Sequence, residues 1–265
     1  MVITDSFVFV HQPKTGGHFV RAALNEACRL EDADFLSRLM RRVRLAGGRF
    51  VMEVDPFHGT CHAIPEKQRG KPILSAVRSP FEYYVSQYHY GWWITHPEDC
   101  FSDMTAVRAG FPNFPDLRFE EFLMCLNRFD KHFERLNPHG RTRNEELGLC
   151  SAQFISFYFK EPNDSYASLD LDGPIDSWPS KMFDVRFLRT ESLNDDLYDF
   201  LISVGYRRRN VSFIKDKSRV IPSAQNTTQR SGDYMSYYSD FAREFVLNKD
   251  LLLFKLFPEF LINSK

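Results

Sequence analysis

The chain is short of the features that would place it outside the ordinary globular proteins. Its five cysteines (Cys28, Cys61, Cys100, Cys125 and Cys150) are odd in number and include no C-x-x-C pair. That speaks against a disulfide framework or a zinc site and for thiols kept reduced. No apolar run approaches the roughly 18 residues that a membrane-spanning helix needs, and no secretory leader precedes the first strand pattern. A cytoplasmic protein is expected, with a lumenal domain as the alternative if the N-terminus was trimmed. The three N-x-[ST] matches, at Asn163, Asn210 and Asn226, then read as chance. Net charge is −1, so the chain as a whole is not built to coat nucleic acid. With no internal repeat and no low-complexity linker, 265 residues are expected to form a single domain.

Hydrophobic residues make up 43% of the sequence, enough for a sizeable core. The densest pattern lies near the start, in "FVHQPKTGGHFVRAAL", residues 9 to 24. A short apolar run at residues 7–10 has the look of a buried parallel strand. After it, Phe19, Ala22, Ala23, Ala27 and Leu30 recur at helical spacing. Between them stand Pro13, Lys14, Thr15, Gly16 and Gly17. Glycines there let backbone approach a ligand, and a helix N-terminus presents N–H groups, so the turn suits an anion, above all a phosphate.

A second anchor is "ILSAVRSPFEYYVSQYHY", residues 73 to 90. Residues 73–77 predict a buried strand with Arg78 at its carboxyl end. Ser79 predicts an N-cap, Pro80 the first helical position, and Glu82 a capping box. Further strands are predicted at 49–54 and 183–188, with helices near 19–30, 35–45, 80–91, 117–136 and 192–204. The C-terminal segment 239–257 predicts an amphipathic helix broken near Asn248. Alternating strands and helices predict an α/β fold: a P-loop-like, three-layer arrangement whose central, mainly parallel sheet is flanked by helices. In such sheets ligands gather at the carboxyl ends of the strands, so Lys14 and Arg78 are expected to face one crevice and a ligand with two anionic groups. Residues 91–116 have no clean period and are expected to form a long loop or cap on the acceptor side.

The segment Pro13-Lys14-Thr15-Gly16-Gly17 resembles the 5′-phosphosulfate loop of the sulfotransferases that use 3′-phosphoadenosine 5′-phosphosulfate, particularly the carbohydrate-type branch with its P-K-T-G-G-T signature. "VRSPFEYYVSQY", residues 77 to 88, is similar to that family's 3′-phosphate motif. Residues 188–206 and 230–246 resemble its two later segments, in the same order. The resemblance implies that Lys14 and the N–H groups of Thr15, Gly16, Gly17 and His18, in a segment closed by Phe19, hold the 5′-phosphosulfate. It implies that Arg78 and Ser86 hold the 3′-phosphate, with Arg230 adding a contact. The product would be 3′-phosphoadenosine 5′-phosphate, and no metal is implied. The sequence departs from the pattern at His18, where the family usually has threonine or serine, and at Tyr83 or Tyr84, near where it has arginine.

Sulfuryl transfer is an in-line displacement governed by positioning and charge stabilisation, so Lys14 suits the leaving oxygen. A base is needed on the acceptor side. His58, with Thr60 at the family's offset, resembles its catalytic histidine, and His62 and Glu53 are the reserves. The acceptor is expected to be a hydroxylated small molecule or a glycan. Arginines at 38, 41, 42, 44 and 49, and again at 207 to 209, offer either a lure for an acidic polymer or simply solvated faces. Trp92 and Trp93, with Tyr88 and Tyr90, offer either a sugar-stacking platform or core packing. Two rival classes stand beside this reading. One is a phosphate-donor kinase, disfavoured because G-x-x-x-x-G-K-[ST] is absent and Lys14 precedes its glycines. The other is an inactive nucleotide-binding scaffold of the same fold.

Overall fold

A computed structural model describes residues 1–33, 51–53, 58–136, 147–171, 173, 177–218 and 233–262. They fall into two compact units, Met1–Arg78 with Asp184–Ser223, and Ser79–Phe183 with Ala224–Lys265.

The first unit holds the sheet, in the order β3-β1-β2-β4-β5: β1 (Val2–Thr4), β2 (Val8–Phe9), β3 (Val51–Glu53), β4 (Ile73–Val77) and β5 (Val185–Arg189). The short β1 escaped the sequence reading because three residues are too few to show a period. Its partner turn is built by Thr4, whose buried hydroxyl accepts from the N–H groups of Ser6 and Phe7 and donates to the Phe7 carbonyl. That reversal pairs Val2 with Phe9 and makes β1 antiparallel to β2, as it is to β3. β2, β4 and β5 pair in parallel, so β1 alone runs against the rest.

Side chains on one side of the sheet (Val2, Phe9, Leu74, Ala76, Leu188) share a core with helix α1 (Gly17–Ala33) and the helix Leu193–Ser203. The helices contribute Phe19, Val20, Ala23, Leu24, Leu197, Phe200 and Leu201. Ile3, Val8, Val10, Ser75 and Val77 are buried as well, as strands covered on both faces require. The molecule is α/β, with a central sheet flanked by helices.

The second unit is helical. Pro80–Tyr90 begins at Pro80, as the sequence predicts, but the Ser79 hydroxyl makes no cap bond, so the capping box with Glu82 does not form. Residues 91–116 are not a loop: they hold three short helices, Trp92–Thr95, Pro97–Cys100 and Met104–Gly110. Pro97 starts the second, and the Asp103 carboxylate caps the third through the N–H of Ala106. Such short turns carry no helical period for the sequence to display. The helix expected over 117–136 is two, Phe119–Phe129 and Lys131–Leu136, parted at Asp130, whose backbone turns extended and bridges Phe101. The C-terminal helix breaks at Asp250, two residues past the predicted point, between Asp240–Lys249 and Leu251–Leu256. The fully buried Asp250 carboxylate accepts from the Tyr84 hydroxyl at 2.8 Å and from the Ser151 N–H at 2.8 Å. Burial raises its pKa to about 6.

The aromatic group divides. Trp93 is buried and stacks on Tyr88, while Trp92 lays its ring on His96 at 3.6 Å and against Tyr90 at 6.0 Å. Trp92 therefore meets aromatic rings of its own chain. Asn210 is buried and so is its amide nitrogen, which closes that position to glycosylation in the fold. The helix predicted at 35–45, with its arginines, lies outside the described residues. Among the described residues, no helix is long and apolar enough to cross a membrane.

Candidate functional site

β2 ends at Phe9, and the chain stays pinned to β4 for one residue more, the Val10 N–H donating to the Leu74 carbonyl at 2.9 Å. It then makes a tight loop before α1. The Thr15 hydroxyl, buried, donates to the Gln12 carbonyl at 2.9 Å and so ties the loop to itself. Lys14 has φ 65° and Gly16 φ 85°. An L-residue in the left-handed region costs roughly 1–2 kcal/mol, a strain usually found where a loop is held for a purpose. Here the Arg78 guanidinium donates to the Lys14 carbonyl at 3.1 Å and braces the strained residue. Left-handed residues interleaved with ordinary ones turn successive N–H groups inward, an anion cradle. The Gly16 carbonyl accepts from the N–H groups of Phe19 and Val20, so α1 starts at Gly17 with its first-turn N–H groups at the loop.

The two glycines are there for different reasons. Gly16 has the positive φ, and a Cβ on it would also lie 2.7 Å from the Leu193 Cδ2. Gly17 makes room for a neighbour: a Cβ on it would lie 1.9 Å from Cδ2 and 2.0 Å from Nε2 of His11. Gly17→Ala is therefore expected to destabilise by about 1–3 kcal/mol, the usual cost of overpacking a closed site. Thermal unfolding checks it, and an unchanged melting temperature would refute the packing.

His11 belongs to a group of three imidazoles. Its ring centroid lies 4.6 Å from that of His58 and 5.7 Å from that of His18. His11 is buried, whereas His18 and His58 reach solvent with part of each ring still covered. The His58 Nδ1 lies 3.0 Å from the His11 carbonyl oxygen. A carbonyl can only accept, so Nδ1 carries the proton and Nε2 of the neutral ring keeps its lone pair. Burial, followed by the charges of His58, His18, the α-amino group and Arg21, pushes the His11 pKa down to about 2. His58 is lowered chiefly by partial burial, then by the α-amino group, His18 and Arg21, against the opposing bond to the His11 carbonyl. His18 is lowered by burial, Arg21 and Lys14. Among the described residues, the fixed charges acting on the rings are those of the α-amino group, Arg21 and Lys14, a setting that suits an anion.

Comparison with known families finds no matching family, and comparison with curated proteins finds no match. Among solved structures, the chain is similar to the crystal structure of mouse sulfotransferase SULT7A1 complexed with PAP. The likeness has 18% identity and a TM-score of 0.42, covering 98% of this chain and 86% of that one. At that identity and TM-score the likeness carries no argument, and the function is read from the residues themselves.

Of the residues the sequence singles out, the structure brings Lys14, Thr15, Gly16, Gly17, His18, Phe19, Arg78 and His58 into the first unit. Phe19 is buried in the core beneath α1, so only its backbone belongs to the loop. Ser86 is buried in the helix Pro80–Tyr90 of the second unit. His62 is exposed on a 3-10 turn, Cys61–Ala63, and Glu53 ends β3. Arg230 lies outside the described residues. Arg207, Arg208 and Arg209 are exposed. All five cysteines are free thiols. Among the described residues, no group of three or more His, Cys, Asp or Glu side chains could hold a metal ion. Sequence reasoning missed His11 and Arg21. The available signals were the imidazole two residues before Pro13 and a cation one helical turn beyond Gly17.

Proposed function

We propose that this chain is a sulfotransferase that moves a sulfuryl group from 3′-phosphoadenosine 5′-phosphosulfate to a hydroxyl or amine of a carbohydrate or similar acceptor. The observation that carries the reading is the loop at residues 13–17: a strained Lys14 braced by Arg78, two glycines, and the start of a helix. These residues fit an anionic donor. Lys14 and the loop N–H groups would hold the 5′-phosphosulfate, and Arg78, whose fork suits phosphate oxygens, would hold the 3′-phosphate. The resemblance adds Ser86 and Arg230 to that second role. When bound, the donor supplies an activated sulfuryl group on an acidic phosphate leaving group, so the proposal calls for no metal.

The chain's own part is to hold charge and move a proton. The Lys14 ammonium sits where negative charge develops on the leaving side. His58, neutral and with Nε2 unprotonated, takes the proton of the acceptor. The five free thiols fit the reducing conditions of the cytoplasm.

Calorimetry tests the donor assignment. 3′-Phosphoadenosine 5′-phosphate is expected to bind well and AMP, lacking the 3′-phosphate, much more weakly, because a lost charge-assisted contact costs roughly 1.5–3 kcal/mol. Equal affinity for the two nucleotides would remove Arg78 from the 3′-phosphate and leave it as a brace of the loop.

A further inference from the structure

We propose that His11 is a positioning residue, whose wedged ring and backbone carbonyl hold His58 in a single tautomer with Nε2 unprotonated. The inference rests on the reading of His58 as the proton acceptor.

The geometry has three parts. The carbonyl of His11 takes the Nδ1 proton of His58 at 3.0 Å. The ring of His11 is tilted by 56° against that of His58 at 4.6 Å and forms one wall beside it. The same ring occupies the place where a side chain at position 17 would begin, so its seat is fixed by α1's first turn. Residue 11 is thus tied on each side, by the Val10 bond to β4 before it and by the ring seat under Gly17. A carbonyl so restrained points in one direction, and the imidazole bonded to it takes one orientation.

His11 is suited to this because it is never charged near neutral pH. A second cation beside His58 would pull the pKa of the base down further and compete for the proton. Burial, with the surrounding His18, Arg21 and α-amino charges, removes that competition.

Nitrogen-15 NMR of the histidine rings in the full chain tests the inference without donor or acceptor. In the wild type, His58 is expected to be protonated on Nδ1 only, with no titration of His11 above about pH 4. In His11→Ala the wall is lost and the carbonyl, though retained, is no longer held in one direction, so His58 becomes a mixture of tautomers and its pKa moves back toward its ordinary value. Turnover falls about 10–100-fold with little change in KM, the cost of a misplaced reacting group. His11→Gln, a flat and uncharged side chain of similar reach, restores most of the tautomer purity. A wild-type His58 carrying its proton on Nε2 overturns the proposal, and this measurement stands even if the variants do not fold. So does His11→Ala with an unaltered tautomer and titration. If the tautomer shifts as expected while no protein transfers sulfate, the positioning of His58 stands and the sulfotransferase reading falls.

Discussion

Lys14→Ala is expected to lose about 10²–10³-fold in turnover while melting close to the parent. Removing a single preorganised charge from the place where negative charge develops typically costs that much. The near-constant stability follows from the backbone. Lys14 is only partly buried, and alanine carries the same Cβ into the same φ of 65°, so the left-handed strain is unchanged. Lys14→Gly sharpens the test, because glycine adopts that φ without strain. It should melt at or above the parent temperature and still fail to turn over. Steady-state rates and thermal unfolding on the three proteins decide the matter. A Lys14→Ala enzyme transferring sulfate near the normal rate would remove the loop from the leaving-group side.

His58→Ala is the second large effect, with turnover down about 10²–10⁴-fold, the usual worth of a positioned general base. Affinity for 3′-phosphoadenosine 5′-phosphate should barely move, since His58 is assigned to the acceptor. The pH dependence follows from the sign of the shift. The folded pKa of His58 lies below its ordinary 6.5, so the ring is neutral throughout the neutral range. Activity should be flat there and fall only as pH drops through that lowered value, where protonated Nε2 can no longer accept. An acid limb lying above pH 6.5 would assign the titration to another group. His62→Ala and Glu53→Gln should do less. A dead Glu53→Gln beside an active His58→Ala would make the glutamate the base.

Elements with a strong period or strong end signals could be read directly from the sequence. β4 was bounded by its short, mostly apolar run, and Pro80 marked the start of the next helix. β1 could not be read, because its place in the sheet is set by pairing with β3 and β2, partners distant or short in sequence. The break at Asp130 was hidden, and that at Asp250 misplaced by two residues, for a related reason. Both carboxylates find backbone N–H partners, from His132 and Ser151, and Asp250 adds the Tyr84 hydroxyl; a helical period does not register such contacts. At the site, the composition of the loop predicted a tight strand-to-helix turn with two glycines, which the structure has. It did not announce His11, since the reason for that residue lies across the loop at Gly17 and in the orientation of His58.

The fit of the His11 ring against Gly17 also sets a rule for how this protein can drift over generations. The two positions share one volume, so position 17 is not free to enlarge alone: a side chain there fits without strain only after the ring at 11 has been exchanged for something smaller. Across natural relatives a residue larger than glycine at 17 should be found only beside a small residue at 11. A lineage that adopts the larger residue at 17 would have given up the imidazole first, and with it the wall that keeps His58 in place.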